Sequence, residues 1–206
     1  MPKHVRRRTD SRETVAVPFP DEKSAQRVEV VPYRPQWATE GREIAAVLAR
    51  MLPEARAVDH IGSTSVPGLP AKDCIDLLVR VHSLAEIELS PLVEWGYRER
   101  PEEWNRVEAL GASTYPKRVF APPVGGRSAN IHVREVGAAT TRYSLLFRDF
   151  LRGNDDHRDT WGRLKTRLAE EHLDIFAYGQ VKATAQPLLM ALAERWAADT
   201  LSLIHI

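Results

Sequence analysis

A hydroxyl-rich turn and a carboxylate inside an apolar run are the parts of this sequence whose residue types and spacing are best suited to chemistry. The turn is 62-GSTS-65, and the carboxylate is Asp76 in the run 75-IDLLVRV-81. Turns of small residues expose backbone N–H groups and hydroxyls, which bind phosphate oxygens. An unpaired buried carboxylate costs on the order of several kcal/mol, so Asp76 needs a metal ion, a cation or hydrogen bonds. Together they indicate a phosphate or metal site.

Both features also have a plain structural interpretation, which the sequence alone leaves open. Turns rich in glycine and serine occur in many loops that bind no ligand. Asp76 can equally form a structural ion pair with Lys72 or with an arginine. The chemistry therefore depends on which other polar side chains the fold brings to Asp76.

A second group of polar side chains is expected on the strand-like run 128-SANIHVREV-136. Apolar residues alternate there with Asn130, His132 and Arg134. Because side chains alternate between the two faces of a strand, these three should share one face. His132 by itself is equally typical of a structural histidine.

The strand before this run offers a further cation. Arg118 and Phe120 share one face of 117-KRVFAPP-123, and Gly125-Gly126 after it indicates a hairpin. If the face that carries Arg118 adjoins Asp76, a pocket with a carboxylate, an imidazole and two guanidiniums results.

The elements that must position these residues alternate between strands and helices, and the last third is helical. The predicted strands cover 28–33, 56–63, 74–81, 117–123 and 128–136, and the predicted helices cover 35–52, 84–95 after the cap Ser83, 141–153, a helix capped by Asn154, and 177–198, where Pro187 should kink or split the helix. Residues 97–116 fit no pattern. This order predicts an α+β (mixed α/β) fold, with a mixed β-sheet, flanking helices and a helical C-terminal part.

Composition narrows the class of protein. The 206 residues suffice for one domain, expected over 27–198, between a disordered arm at 1–26 and an artefactual tail at 199–206. The 29 basic and 28 acidic residues nearly cancel, which argues against nucleic acid as a partner. No apolar run reaches the roughly 18–20 residues that span a bilayer, so no membrane partner is expected. The single cysteine, Cys74, fits a cytoplasmic location.

The turn and Asp76 together resemble the signature of polymerase-β-like nucleotidyltransferases. In those enzymes the Gly-Ser turn holds the nucleotide phosphates, and two acids in one strand hold divalent metal ions. The second acid is missing here, because Leu78 stands two residues after Asp76. One carboxylate does not make the usual two-metal clamp.

The longer string 60-HIGSTSVPGLPAKDCID-76 is similar to the GrpB family within that superfamily. Further motifs agree in the right order over about residues 28–197: VPYRPQW at 31–37, NIHVRE at 130–135, LLFRDFLR at 145–152, Lys165, and the region from Tyr178 to Lys182. Members of this family typically lack the second acid and carry a histidine in the later strand, here His132. Some are joined to dephospho-coenzyme A kinases, but no kinase P-loop occurs in this chain.

The resemblance implies a set of site residues. Asp76, His132 and Lys72 are the implied catalytic residues, and Mg²⁺ or Mn²⁺ is the implied cofactor, with Asp76, His132 and the neighbouring His60 as its candidate ligands. The implied phosphate- or nucleotide-binding residues are Gly62, Ser63, Thr64, Ser65, Arg118, Arg134, Arg148, Lys165 and Lys182. Asp59, Asp73 and Glu135 are the nearby acids, and strand alternation places Asp73 and Glu135 on the wrong faces.

Two functions remain open at this point. The first is a degenerate nucleotidyltransferase site that binds a nucleotide or another phosphate-bearing small molecule, or an accessory module for a partner protein such as a dephospho-coenzyme A kinase. The second is an active metal-dependent nucleotidyltransferase that uses an NTP. Another kind of metalloenzyme is less consistent with the sequence, because HExxH and CxxC motifs are absent from it.

Overall fold

The computed structural model describes residues 28–171 and 174–200. These residues contain five α-helices and seven strands. In chain order they are α1 (Gln36–Met51), β1 (Ala57–Ile61), β2 (Ile75–Val81), α2 (Ser90–Glu94), β3 (Arg98–Glu99), β4 (Val107–Leu110), β5 (Ser113–Pro116), β6 (Arg118–Ala121), β7 (Ala129–Glu135), α3 (Ala139–Gly153), α4 (Asp155–Glu170) and α5 (Ile175–Asp199). The predicted α+β class with a helical C-terminal part is confirmed.

The main sheet has five strands in the order β1-β2-β7-β6-β3. The β2 and β7 strands pair in parallel, and the other neighbours pair antiparallel, so the sheet is mixed as predicted. The β4 and β5 strands form a separate two-stranded ribbon. The parallel pair places Asp76 beside Asn130 and Leu78 beside His132. Residues paired in this way share a face, which is called the site face below.

The opposite face of the sheet carries the main hydrophobic core. Alternate residues of β2 and β7, such as Leu77 and Ile131, are fully buried against Trp37 and Leu48 of α1 and Leu92 of α2. Each such side chain contributes about 1.5–3 kcal/mol when it leaves water. This core holds β2 and β7 in register, and it thereby fixes which side chains reach the site face.

The C-terminal helices form a second core with the loop that follows the turn. Val66 and Leu69 of that loop pack with Phe150 of α3, Trp161 of α4 and Met190 of α5. The helices are thus anchored directly above the turn at residues 62–65. Side chains from α4 and α5 can reach the site face only because of this packing.

Two predicted elements in the first half of the domain differ from the structure. Residues 28–33 do not form a strand, because Val31 alone bridges to Ala71 and no neighbouring strand extends the pairing. The helix predicted over 84–95 is confined to Ser90–Glu94. Pro91 explains the difference, since proline lacks an N–H and is tolerated only in the first turn of a helix.

Two details of the C-terminal helices also differ from prediction. The Asn154 side chain does not cap α4; its amide donates to the Phe150 carbonyl at 2.8 Å and closes the end of α3 instead. Pro187 does not split the last helix, which is continuous from Ile175 to Asp199. Because Pro187 is exposed, water can replace the lost backbone hydrogen bond.

Some predictions fall on residues outside the described ranges. The arm at 1–26 and residues 201–206 of the predicted tail belong to this group. Among the helices that are described, none combines the length and apolarity that crossing a bilayer requires.

Candidate functional site

The turn after β1 and the Asp76 carboxylate are in direct contact. Gly62 adopts a φ of 69°, in the left-handed region that favours glycine. A Cβ atom at this position would lie 2.3 Å from Oδ2 of Asp76. The turn backbone therefore lies closer to the carboxylate than a residue with a Cβ atom would allow. Ser63 begins a short 3₁₀ turn beside it.

Two neighbours on β7 complete the surroundings of Asp76. The Asn130 amide donates to Oδ1 of Asp76 at 3.0 Å. Nε2 of His132 lies 3.7 Å from the same oxygen, which is too long for a direct hydrogen bond. The carboxylate is thus held in place by Asn130, and the His132 imidazole stands beside it.

The charge states of this pair follow from burial and from their neighbours. Burial alone would raise the pKa of the Asp76 carboxyl, but His132, Asn130 and Lys72 hold that pKa below its ordinary value. Burial lowers the pKa of His132 below its ordinary value even though Asp76 opposes the shift. At neutral pH the site therefore contains a carboxylate beside a neutral imidazole. Nδ1 of His132 is buried without a hydrogen-bond partner.

Three lysines from separate elements converge on one small cavity beside Asp76. Lys72 precedes β2, Lys165 belongs to α4 and Lys182 to α5, and all three line a space of about 160 Å³, called the lysine cavity below. Lys165 is only 2% exposed. Its Nζ donates to the Ser63 hydroxyl at 2.9 Å and to the Pro70 carbonyl. The turn and the C-terminal helices thus meet at this ammonium.

The lysine cavity holds an excess of positive charge. Asp76 is its only acidic lining residue among those the structure describes. Burial, and then repulsion from Lys182, lowers the pKa of Lys165 well below its ordinary value. Burial, and then repulsion from Lys72, also lowers the pKa of Lys182, although Asp76 opposes this shift. The three cations therefore lack enough counter-charge in the free protein.

The choice of lysine at this cavity is selective. The chain contains 23 arginines and six lysines. Four of the lysines lie in the described residues, and three of those four line this one cavity. Lysine presents a compact charge whose pKa responds to its surroundings, whereas arginine remains charged. Burial raises the pKa of Tyr178, on the same wall, to about 12, so its hydroxyl stays a donor.

A second cavity lies beside the first. It measures about 300 Å³ and shares Ser63, Asp76 and Lys182 with the lysine cavity. Aromatic side chains from α3 and α4 form one wall, so it is called the aromatic cavity below; they are Tyr143, Phe147 and Trp161. The Tyr143 and Phe147 rings stack with centroids 6.4 Å apart. His132, Arg134 and Gln186 also line this space.

Arg118 does not join the site, so the expected pocket with two guanidiniums does not form. It pairs with Val133 in the β6–β7 register, and Val119 pairs with His132. Residues that pair directly across antiparallel strands share a face, which places Arg118 on the core side of the sheet. Its guanidinium binds Glu99 there.

His60 is also separated from Asp76 by strand alternation. It pairs with Leu77, whereas Ile61 pairs with Asp76. The His60 ring packs against Gly41 of α1, and Nε2 lies 2.9 Å from the Thr64 hydroxyl. Burial lowers its pKa to about 4. The structure therefore places His60 behind the turn, where it supports Thr64.

The remaining predicted residues have different surroundings. Thr64 lines the lysine cavity, but the Ser65 hydroxyl donates to the Gly62 carbonyl at 2.6 Å and stabilises the turn from within. Arg148 binds Asp149 and donates to the His60 carbonyl, away from both cavities. Arg134 reaches the aromatic cavity, yet its guanidinium already donates to Glu108 and to the Ser144 hydroxyl.

The three nearby acids are all engaged elsewhere. Asp59 accepts a hydrogen bond from Arg80 at 2.8 Å. It lies on β1 two residues before Ile61, the residue that pairs with Asp76. Asp73 accepts from Trp37 and binds Arg34 and Arg127. Glu135 accepts from the backbone N–H of Leu84. None of these carboxylates lines either described cavity.

The donor set beside Asp76 is too small for a two-metal clamp. Across residues 28–171 and 174–200, no three side chains of His, Cys, Asp or Glu come together in an arrangement that could hold a metal ion. Leu78 stands where the resemblance described above expects a second acid, and it is buried with Ile61 and Leu145 in an apolar cluster. Mg²⁺ prefers an octahedron of oxygen ligands, which Asp76 and His132 do not supply.

Sequence reasoning missed the aromatic wall and Gln186. Tyr143 and Phe147 follow the helical spacing of an ordinary core face, and Gln186 carries no motif. The sequence signalled only the strand face opposite this wall, through the alternation that places Asn130 and His132 on one face. Which helix faces approach that strand depends on tertiary packing.

Comparisons with known proteins agree with this architecture. The family profile described as "GrpB protein" matches residues 27–190. The UPF0157 protein BH1888 of Halalkalibacterium halodurans is 33% identical over 175 residues, which cover 81% of this chain and 82% of that protein. The crystal structure of the conserved protein GrpB from Enterococcus faecalis superposes with a TM-score of 0.64 at 28% identity, over 82% of this chain and 99% of that one.

One relative is considerably longer than this chain. A protein named dephospho-CoA kinase from Mycolicibacterium paratuberculosis is 34% identical over 176 residues. The match covers 75% of this chain but only 43% of that protein. The chain thus spans less than half of the length of this relative.

Proposed function

Because this chain belongs to the GrpB family and gathers three lysines around one carboxylate, we propose that it binds a phosphate-bearing small molecule in the lysine cavity. The convergence of Lys72, Lys165 and Lys182 is the observation that carries this proposal. The phosphate oxygens would accept hydrogen bonds from these ammoniums and from the Ser63 hydroxyl. Charge-assisted hydrogen bonds of this kind are about twice as strong as neutral ones.

The electrostatics of the free protein support an anionic ligand. Buried cations that lack counter-charge are costly, and the lowered pKa values of Lys165 and Lys182 express that cost. A phosphate group would supply the missing negative charge and would stabilise the protonated forms of both lysines. Asp76 alone cannot do so, because one carboxylate faces three cations.

The adjoining aromatic cavity suits the organic part of such a ligand. It shares three lining residues with the lysine cavity, and a phosphate ester would extend from one space into the other. Aromatic rings stack on flat groups such as nucleobases. Nucleotides and coenzyme A precursors are therefore the first ligands to test. A dephospho-CoA kinase remains the proposed partner protein, because a relative of that name contains a homologous segment.

Thermal unfolding in the presence of inorganic phosphate, ATP and coenzyme A precursors tests the proposal. A ligand at 100 times its Kd should add about 2.7 kcal/mol of stability. At the same ligand concentration the gain should fall to about 1.4 kcal/mol in Lys182→Gln, as a tenfold weaker affinity implies, and persist in full in Lys117→Gln. Lys117 is the matched control, since it is the fourth described lysine and pairs with Glu108 outside both cavities. A folded wild type that none of these ligands stabilises would contradict the proposal.

Nucleotidyl transfer is the second candidate function, and the Asp76–His132 pair favours it. A neutral imidazole in the aromatic cavity, beside a carboxylate that lines both cavities, can accept a proton from an attacking hydroxyl. The hydroxyl oxygen would bond to the α-phosphorus of an NTP, pyrophosphate would leave, and the proton would pass to His132. Release of pyrophosphate by wild type but not by His132→Asn tests this reaction. Equal release by both proteins excludes this role of His132.

A further inference from the structure

We propose that the lysine cavity binds its phosphate group without a divalent metal, and that Lys72, Lys165 and Lys182 supply the positive charge that two metal ions supply in two-acid sites. This inference rests on the proposed function and concerns the same cavity. It differs from the metal-dependent site that the family resemblance implies. Three features carry it: the apolar neighbour of Asp76, the placement of the lysines, and the position of the carboxylate.

The apolar neighbour of Asp76 removes one half of a metal clamp. In a two-metal site, neighbouring carboxylates hold the two ions, and the ions stabilise the attacking and leaving oxygens of the phosphate. Here Leu78 stands next to Asp76 on the site face, with no exposed surface, and packs with Ile61 and Leu145. A metal ion at that point would meet hydrocarbon on one side and would lose oxygen ligands that it needs.

The lysines line the cavity that Asp76 also lines. Lys165 reaches the turn through Ser63, so its ammonium lies where the turn would present a phosphate. Lys182 is near enough to both Lys165 and Asp76 to influence the pKa values at the cavity, and its ammonium lies 5.7 Å from the centre of the Tyr178 ring. Three point charges on three elements can surround a phosphate group in the way that metal ions do.

The metal-dependent and the metal-free site predict opposite effects of one substitution at Asp76 on ligand binding. In a metal-dependent site Asp76 holds the cation, so Asp76→Asn should abolish binding. In the lysine site Asp76 competes with the ligand as a counter-ion, so Asp76→Asn should leave binding equal or stronger. Asparagine keeps the shape, and its side-chain oxygen can still accept the hydrogen bond from Asn130.

The experiment uses calorimetric titration of the full chain with pyrophosphate, once in EDTA and once in MgCl₂. We expect binding in EDTA, retained or strengthened in Asp76→Asn. Lys182→Gln should weaken binding about tenfold, as the loss of one charge-assisted hydrogen bond predicts. Lys117→Gln should bind as the wild type does. Circular dichroism shows whether each variant is folded.

The possible failures are separable. Pyrophosphate binding that requires Mg²⁺ and is lost in Asp76→Asn overturns the metal-free site but leaves the proposed phosphate-binding function intact. Absence of binding for pyrophosphate and for nucleotides, in EDTA and in Mg²⁺, overturns both. If Asp76→Asn does not fold, Lys182→Gln in EDTA decides the matter, because an unchanged affinity there overturns the lysine site.

Discussion

The Nζ atom of Lys165 lies 2.9 Å from the Ser63 hydroxyl, and the two residues are 102 positions apart in the chain. This contact joins α4 to the turn after β1, and its lysine is buried from solvent while Ser63 is half-buried. It places the buried Lys165 ammonium beside the turn whose Gly62 backbone contacts Asp76. The properties of the candidate site depend on this junction.

Gly62→Ala should destabilise the protein by more than the left-handed backbone alone explains. A non-glycine residue in that conformation costs on the order of 1–3 kcal/mol, and the new Cβ would also lie 2.3 Å from Oδ2 of Asp76. Urea unfolding measures the loss. Gly111→Ala is the matched control, since Gly111 has a φ of 62° with open space around it. Equal losses at the two positions would show that the carboxylate does not crowd the turn.

Leu78→Asp, which supplies the second acid that the nucleotidyltransferase resemblance expects, should unfold the protein rather than create a metal site. The new carboxylate would be buried against Ile61 and Leu145 without a partner, at a cost on the order of several kcal/mol. Denaturant midpoints with and without MgCl₂ measure the effect. Leu192→Asp on the exposed side of α5 provides the control. A stable Leu78→Asp protein that gains Mg²⁺ affinity would contradict this description of the site face.

Acid should destabilise the protein in part through His60. Its folded-state pKa of about 4 lies below the ordinary 6.5, so the unfolded chain takes up a proton first as the pH falls. The stability that depends on neutral His60 is complete above pH 6.5 and is lost towards pH 4, by up to about 3 kcal/mol. Unfolding at pH 7 and pH 4.5 should show a smaller acid loss in His60→Gln, with the exposed His82→Gln as control. Identical acid losses in all three proteins would rule out this role of His60.

Alkaline pH should stabilise the ligand-free protein through Lys165. Its pKa is lowered by burial and by Lys182, so above the folded-state pKa the unfolded chain binds the extra proton. Stability therefore rises as the pH passes the folded-state pKa and continues to rise until the unfolded lysine loses its own proton near pH 10.5. The free energy of unfolding between pH 7 and 10 should rise more in wild type than in Lys165→Met. Parallel curves for the two proteins would show that Lys165 is not desolvated.

Phosphate binding should be coupled to proton uptake for the same reason. An anion beside Lys165 and Lys182 favours their charged forms and raises both pKa values. Titrations with pyrophosphate in buffers of different ionisation enthalpy should therefore give different apparent heats, and the affinity should fall as the pH rises towards 10. The buffer dependence should be smaller in Lys182→Gln. Heats that do not depend on the buffer would mean that both lysines are already protonated in the free protein.

Local sequence patterns predicted most of the elements but not every boundary. The apolar spacing of α1, the apolar run of β2 and the alternation in β7 are strong signals because each element has one continuous buried face. The helix predicted over 84–95 is shorter in the structure because Pro91 is tolerated only in its first turn. The strand predicted over 28–33 does not form, because pairing requires a neighbouring strand that the sequence does not reveal. Residues 97–116, which fit no pattern, contain short strands that depend on pairing for their conformation.

The sequence by itself determined the Gly-Ser turn, the carboxylate at Asp76 and the polar alternation that puts Asn130 and His132 on one face. These are local properties, since dihedral preferences and the period of a strand depend on neighbours in the chain. Tertiary structure alone decided that Arg118 faces the core and that three lysines share one cavity. Strand register and helix packing set those relations, and both depend on contacts between residues far apart in the chain, such as Lys165 and Ser63.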